Sequence, residues 1–557
     1  MTFYHCRCGA YGLRSPDGAD PGSAQLPSWR RMTSDNAATR AASQAHVVAD
    51  QSEVLEFLAD PRTHGLSTPP IRIDTHGAVV FLAGENAYKV KRAVKFPFMD
   101  LSTIGKRKSA CEMEIAVNSI SAPTIYLGAV PVTRGSNGLA LGGAGEAIDW
   151  LVHMRRFDER QTLDRIAERG DLSPMLLAKL VRAILASHAR APLHEGASAA
   201  ESLRRYLQQN RNAFGESAEL FPKERVAALT ARLEDMLKRQ WELLLERGRA
   251  GYVRRCHGDL HLRNIVLLRD EPTLFDAVEF DDAIATGDVL YDLAFLLMDL
   301  WERGLKSEAN LVLNRYLWGS DETQIPGLAA LPLFLSIRAA IRAKVIAASL
   351  PHLSANERET QGAEARQYFA AAEHFLKPQA PRVVAFGGLS GSGKTTLASS
   401  IAPYLGQPPG AIHLRSDIER KVLAGVGEAD RLPAAAYTQA ASDAVYDSLR
   451  RKTKLILAAR QSVAVDAVHP RPAERESIEA TARAAGAPFL GLWLDAPVEV
   501  LVSRVRTRIG DASDATEEIV RRQISQEVGP MRWVRLKAAG EADQRATEAL
   551  RILHVAS

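Results

Sequence analysis

Two stretches of this sequence place reactive residue types at the spacings that chemistry requires. In the first, the apolar run Val383-Val384-Ala385-Phe386 breaks into Gly387-Gly388-Leu389-Ser390-Gly391-Ser392-Gly393-Lys394-Thr395-Thr396. Gly388 through Thr395 match G-x-x-x-x-G-K-[ST], with a strand-length run before and helix formers after. Glycines let consecutive backbone N–H groups curl around an anion without Cβ clashes, and the helix N-terminus adds partial positive charge. Gly388, Ser390, Gly391, Ser392, Gly393, Lys394, Thr395 and Thr396 are therefore expected to bind a nucleoside triphosphate. Lys394 is placed to reach the β- and γ-phosphates, and the Thr395 hydroxyl to ligate Mg²⁺. The second stretch is Cys256-His257-Gly258-Asp259-Leu260-His261-Leu262-Arg263-Asn264-Ile265, with Asp276 twelve residues after Asn264 in Leu274-Phe275-Asp276-Ala277-Val278-Glu279-Phe280. Taken singly, Asp259 and Asn264 are turn formers and Asp276 a strand-end cap. Together, in this order, they supply two carboxylates and an amide.

The elements that position these residues need more than one core. A chain of 557 residues predicts about three to four folding units. Hydrophobic residues make up 46% and charged residues 24%, an ordinary globular balance. The formal net charge of +4 gives no argument for nucleic acid or a membrane surface as partner. Four cysteines without a paired C-x-x-C framework point to a reducing, cytoplasmic setting, and Cys6 and Cys8 have no further ligands nearby for zinc. No apolar run reaches the ~18 residues of a membrane span, and no basic-then-apolar leader opens the chain.

Residues 1–45, rich in Gly, Pro, Ser, Ala and Asp, predict a disordered segment, with translation starting at Met1 or Met32. From His46 the pattern turns periodic. Val47, Val48, Val54, Leu55 and Leu58 predict a short helix ended by Asp60-Pro61. Ile71–Asp74, Val79–Leu82 and Ala87–Lys91 predict three strands, with Lys89 and Lys91 on one face because strand side chains alternate. A helix over Ile104–Ser121 carries Glu112 and Glu114. Tyr126–Val132 and Trp150–Phe157 predict further strands around a glycine-rich hairpin. Two apolar stripes then mark core helices: Leu176, Leu177, Leu180, Ile184 and Leu185; and Val226, Leu229, Leu233, Met236, Leu237, Trp241 and Leu244.

His-Gly-Asp-Leu-His-x-x-Asn, then an apolar strand ending in Asp, then Tyr291-Asp292-Leu293-Ala294, resembles the aminoglycoside phosphotransferase family and its choline-kinase-like relatives. The resemblance implies an α+β protein-kinase-like domain over 46–377, with an N-lobe of about 46–156 and a C-lobe of about 157–377. It implies Asp259 as catalytic base, Asn264 and Asp276 as Mg²⁺ ligands, and Lys89 on the α/β-phosphates paired with Glu114. Asp292 would brace the catalytic loop, and Asp149–Arg155 would be the hinge whose backbone faces an adenine. Several choices stay open: Lys91 against Lys89, Glu112 against Glu114, and a share of the metal for Glu279 and Asp281. His257 and His261 are expected to be structural.

A proline-bearing linker at 378–381 leads into 382–557, where strand and helix alternate. That predicts an α/β P-loop NTPase domain with a parallel sheet and helices on both faces. Asp417, after the strand Ile412–Ser416, lies where ligands of open α/β sheets gather. Asp417-Ile418-Glu419-Arg420 resembles the Asp-x-x-Arg substrate motif of P-loop small-molecule kinases and zeta toxins. That implies Asp417 as proton acceptor or metal contact, with Arg420 on the substrate. A helix N-cap is the alternative for Asp417. Val463-Ala464-Val465-Asp466 resembles a second metal-binding strand, with Asp466 as its carboxylate. Arg504 and Arg508, one helical turn apart, make a candidate phosphate-facing lid pair, and Gly510–Ala515 a mobile loop. The whole order resembles bifunctional aminoglycoside phosphotransferase/ATP-binding proteins, which implies ATP, Mg²⁺ and a small-molecule hydroxyl substrate.

Overall fold

The computed structural model describes residues 47–75, 77–96, 99–507, 512–525, 528–538 and 542–555. The segment 1–45, expected to be disordered, lies outside the described residues. The chain forms two compact units. The first takes the chain up to Asp158 with Val278–Asp281 and Ser349–Glu359, and the second takes the rest.

In the first unit, helix α1 (Ser52–Ala59) precedes strands β1 (Ile71–Asp74), β2 (Ala78–Ala83) and β3 (Asn86–Lys91). Helix α2 (Ile104–Asn118) follows, started by the Thr103 hydroxyl accepting from the Lys106 N–H. Strands β4 (Tyr126–Gly135), β5 (Gly138–Leu141) and β6 (Glu146–Arg155) complete an antiparallel sheet in the order β1-β2-β3-β6-β4-β5. Val54 and Leu58 of α1 pack on Val79, Phe81, Val90, Val132 and Leu151, while Val80, Leu82 and Ala87 form a second cluster. Strand β2 is therefore buried throughout, which is why it is a continuous apolar run.

One expectation fails here. Asp149–Arg155 is not a hinge with free backbone but part of β6. Leu151–Met154 pair with β3 on one side and with β4 on the other, so their N–H and C=O groups are already committed to the sheet. The alternation of Ile148, Trp150 and Val152 carries the strand through the segment. Asp149 is instead buried in an ion pair with Arg107, 2.7 Å away, and accepts from Gln51 at 2.7 Å.

The second unit begins with helices α3 (Pro174–Arg190), α4 (Gly196–Glu216) and α5 (Lys223–Arg249), whose buried faces carry the predicted stripes. The hairpin β7 (Ile265–Leu268) and β8 (Glu271–Leu274) follows, then α6 (Val289–Glu302), α7 (Lys306–Trp318), α8 (Leu331–Ser349) and α9 (Ala355–Phe375), whose first turn up to Glu359 belongs to the first unit. Asp288 caps α6 through the Leu290 N–H and holds buried Arg247 by two hydrogen bonds of 2.6 and 2.7 Å. The span Glu322–Ser349 is long and apolar enough to cross a membrane, but most of it is packed inside the protein as a core element.

After the linker come β9 (Val383–Gly387), α10 (Lys394–Ile401), β10 (Ile412–Arg415), α11 (Ser416–Leu423), α12 (Gln439–Ala458), β11 (Val463–Asp466), α13 (Pro472–Ala484), β12 (Phe489–Asp495), α14 (Val498–Arg506), α15 (Glu517–Ile524), β13 (Val534–Lys537) and α16 (Ala542–Val555). The sheet is all parallel, ordered β10-β11-β9-β12-β13. Val383 to Phe386 are fully buried, as a central parallel strand covered on both faces requires. β9 and β11 deliver the glycine-rich loop and Asp466 to the same sheet edge.

Candidate functional site

The loop from Cys256 to Asn264 is pinned from several directions. His257 Nε2 shares a hydrogen bond with the Phe275 carbonyl at 2.9 Å, and the Phe275 N–H donates to the Asn264 carbonyl at 3.0 Å. These contacts tie the loop to the strand end that carries Asp276. Asp276 has φ +59°, a left-handed conformation uncommon outside glycine, asparagine and aspartate. From α6, Asp292 accepts from the Gly258 N–H at 2.8 Å and Asp299 from the Leu262 N–H at 3.0 Å. Arg338 of α8 donates to the Gly258 carbonyl at 3.1 Å. Asp292 thus braces the loop, and it is itself held by His188 at 3.1 Å, whose other ring nitrogen bonds the Tyr316 hydroxyl at 2.9 Å. His188, Cys256 and Asp292 lie close enough to group around an ion, but His188 and Asp292 already hold these protein partners.

Within this frame the Asn264 amide donates to the Asp259 carboxylate and to its backbone carbonyl, both at 3.0 Å. Burial works to raise the Asp259 pKa, yet lowering influences led by His261, 3.4 Å away, and including Arg342 together outweigh it and hold the carboxyl well below the usual range. The loop therefore presents a desolvated carboxylate, oriented by one amide. That arrangement suits accepting a hydroxyl proton.

In the first unit, Lys89 and Lys91 are both buried rather than solvated, and both meet Glu114 of α2. Lys89 Nζ is 2.8 Å from Glu114 Oε1, while Lys91 pairs with Glu114 and also with Glu279. Glu112 is exposed and pairs only loosely with Lys108 at 3.7 Å. Of the two glutamates left open by the sequence, Glu114 is the one at the lysines. Glu279 joins the same cluster, which raises the Lys91 pKa against the effect of burial.

In the glycine-rich loop, Gly388, Gly391 and Gly393 have φ of +136°, +86° and +90°. A Cβ on Gly391 would lie 2.6 Å from the Leu501 carbonyl, so only glycine fits. Lys394 folds back to the Leu389 carbonyl at 3.1 Å. The Thr395 hydroxyl donates to Asp466 at 2.6 Å. Burial raises the Asp466 pKa, but His413 at 3.4 Å, Lys394 and Arg415 together hold it well below the usual range. An anionic carboxylate beside a hydroxyl, under a nest of N–H groups, fits a nucleoside triphosphate with its divalent cation.

Asp417 lies in the first turn of α11. It is not the N-cap, which is Arg415. Arg420 donates to the Ala436 carbonyl at 2.6 Å and lies 5.0 Å over the Tyr437 ring. Arg504 contacts the Gly391 and Ser392 carbonyls at 3.4 Å and the Ala538 carbonyl at 3.0 Å. Arg508 lies outside the described residues, as does part of the loop expected after it. Asp514, at the end of that loop, accepts from the Tyr437 hydroxyl at 2.8 Å.

Two residues at this loop carried no sequence signal. Arg545 of α16 approaches Gly393 alongside Arg504 and donates to the Ala538 carbonyl at 3.1 Å. Gln523 of α15 accepts the Ser390 N–H at 2.9 Å. A phosphate in the loop needs that N–H, so Gln523 competes with it. Gln523→Ala is expected to tighten ATP binding about fivefold, the value of one neutral hydrogen bond of ~1 kcal/mol, as read by titration calorimetry. A weaker complex would assign Gln523 to the closed nucleotide site instead.

Beneath the loop, His469 is 1% exposed. Neither ring nitrogen has a hydrogen-bond partner among the described residues, and burial pushes its pKa down to about 3. The unfolded chain takes up that proton near the ordinary value of about 6.5. This contribution to stability is therefore complete above about 6.5 and falls as the pH drops, by ~1.4 kcal/mol per unit. His469→Phe should make unfolding free energy less acid-sensitive by about one proton between pH 6 and 4.5, measured by urea titration.

The model of the Phosphotransferase enzyme family matches residues 110–326, and an AAA domain model matches 383–528. Uncharacterized proteins of Mycobacterium tuberculosis and Mycobacterium bovis are each 28% identical over 487 residues, covering 86% of this chain and 94% of theirs. Among solved structures, a choline/ethanolamine kinase family protein from Mesorhizobium loti is 14% identical, with a TM-score of 0.32, covering 57% of this chain and 98% of its own. The Mycobacterium tuberculosis APS kinase is 23% identical, with a TM-score of 0.25, covering 32% of this chain and 99% of its own. The chain joins a domain of the Phosphotransferase enzyme family to an AAA-type P-loop domain, and it is an ATP-dependent kinase.

Proposed function

We propose that the chain is a bifunctional small-molecule kinase, with one transfer site in 46–377 and a second in 382–557, joined by the linker 378–381. The reading rests above all on each half carrying its own ionised carboxylate beside a matched partner: the partly exposed Asp259 with Asn264 at 3.0 Å, and the buried Asp466 with Thr395 at 2.6 Å.

In the first half, Asp259 accepts the proton of the substrate hydroxyl as that oxygen bonds to the γ-phosphorus and ADP leaves. Asn264 keeps the carboxylate turned toward the hydroxyl. Asn264 and Asp276 are the residues that would hold Mg²⁺, with Lys89 and Glu114 assigned to the α/β-phosphates. In the second half, the Gly388–Thr396 loop cradles the phosphates, with Thr395 and Asp466 toward Mg²⁺ and Arg504 over the loop. Asp417 and Arg420 face the acceptor. Bound Mg²⁺ neutralises phosphate charge in both sites, and the protein supplies position and desolvation. The acceptor is a hydroxyl of the aminoglycoside, sugar or amino-sugar class.

The test is ATP consumption by wild type, Asp259→Asn and Lys394→Ala against a panel of aminoglycosides, amino-sugars, sugars and nucleosides. Lys394→Ala removes a charge-assisted contact, so ATP at the P-loop should weaken by ~1.5–3 kcal/mol, roughly 10- to 100-fold. Two separate activities, each lost in one variant, support two kinases. A Lys394→Ala protein that changes only the rate of an Asp259-dependent reaction makes the P-loop half a regulator. The direct contact between α7 and the P-loop sheet is the observation that favours the regulator.

A further inference from the structure

Strand β10 is the edge strand of the P-loop sheet. An open edge leaves a row of backbone donors and acceptors without partners. Here that row is covered by side chains from α7, a helix of the phosphotransferase half. Asn310, Asn314 and Trp318 are spaced four residues apart and share one helix face. Asn310 donates to the Pro409 carbonyl at 3.2 Å and to the Ala411 carbonyl at 3.0 Å. Asn314 donates to the Ala411 carbonyl at 3.3 Å and accepts the His413 N–H at 2.6 Å. Trp318 Nε1 donates to the His413 carbonyl at 3.1 Å. These side chains take the hydrogen-bonding place of a neighbouring strand.

The contact continues toward the phosphate loop. The Trp318 ring meets the His413 ring edge-on, with centroids 6.4 Å apart, and the Arg415 guanidinium lies 5.8 Å over the same indole. His413 Nε2 and Arg415 Nε are 3.4 and 3.9 Å from Asp466 Oδ2, the oxygen that accepts from Thr395. Trp318 therefore touches both residues that face the Asp466 carboxylate from β10, and Asn314 fixes the backbone at His413, the first of them.

We infer that Asn314 and Trp318 are positioning residues for Asp466, so that the Mg²⁺–ATP site of the P-loop half is completed by the phosphotransferase half. The inference rests on reading Asp466 as the metal-binding carboxylate. Supporting residues behind a metal ligand typically govern metal affinity by 10- to 100-fold. The phosphate nest is built from the loop itself and Lys394, whereas Asn310, Asn314 and Trp318 direct their hydrogen bonds to Pro409, Ala411 and His413.

The test uses the full chain and a fluorescent ATP analogue, titrated with and without Mg²⁺. The signal lost in Lys394→Ala reports the P-loop site. Asn314→Ala and Trp318→Phe, which keeps an aromatic ring but loses the N–H, are expected to cut the Mg²⁺-dependent gain in affinity about tenfold. Their Mg²⁺-free affinity should stay within about twofold of wild type. Restoring the acceptor with Asn314→Asp should recover part of the gain. If the gain survives in both folded variants, or if Mg²⁺-free affinity falls in step with it, the inference is overturned. Should Asn314→Ala fail to fold by circular dichroism, Trp318→Phe decides alone. Asp466→Asn separates the two claims. If that variant keeps the gain, the metal reading of Asp466 fails and this inference with it. If it loses the gain while Asn314→Ala and Trp318→Phe keep theirs, only the positioning role fails.

Discussion

Asp259→Asn should lower substrate-dependent ATP turnover in the phosphotransferase half by about 10³-fold, within the range for losing a positioned general base, while ATP affinity changes little. The expectation follows from where the side chain sits. Its carboxylate is partly exposed, ionised and oriented by the Asn264 amide at 3.0 Å. The loop backbone is held independently by Asp292, Asp299 and Arg338. An asparagine of the same shape preserves that frame but has no lone-pair charge to take the proton. The low pKa of Asp259 makes it a weak base. Its role is then to align the hydroxyl and receive the proton late in transfer, and the rate profile should show no acid limb from this group between pH 5 and 8. Rapid-mixing assays with a productive acceptor measure both quantities. A variant within about threefold of wild type, or one that loses ATP affinity in proportion to rate, removes Asp259 from the base role.

The sequence was most legible where chemistry is local in the chain. The glycine-rich loop, Lys394 and Thr395 are consecutive, and the positive φ at Gly388, Gly391 and Gly393 belongs to the loop's own turn, although the carbonyl that crowds Gly391 comes from Leu501. Asp259 and Asn264 are likewise near neighbours. Legibility fell where partners come from afar. Lys89 and Lys91 share a strand face, so alternation cannot choose between them. Their distinction rests on Glu279, 188 residues from Lys91 in the chain. The segment Asp149–Arg155 pairs as a strand where a hinge is expected, because the apolar alternation of β6 gives no sign of which backbone groups a neighbouring strand takes. Gln523 reaches the loop across 133 residues, and a lone glutamine on an amphipathic helix carries no signal of that contact. Asn310 and Asn314 are the same case: mid-helix asparagines are ordinary polar residues until a strand edge is set against them.

The second large effect is expected at Glu114. It is 0% exposed and lies between Lys89 and Lys91, themselves 7% and 4% exposed. Glu114→Ala leaves two buried ammonium groups with one carboxylate fewer, and breaking a buried ion pair from one side typically costs ~3–5 kcal/mol. Glu112→Ala, two residues away on the exposed face, is the matched control and should cost less than about 0.5 kcal/mol. The penalty has a pH signature. With Glu114 gone, desolvation favours the neutral amine, so a lysine in the folded variant holds its proton less tightly than in the unfolded chain. The unfolded state then binds more protons, and stability must rise with pH. Urea unfolding of Glu114→Ala should therefore recover part of its loss between pH 7 and 9.5, while Glu112→Ala tracks wild type. Equal costs for the two variants, or a Glu114→Ala deficit that does not shrink with pH, would mean that Glu114 does not hold the lysine pair as charged groups.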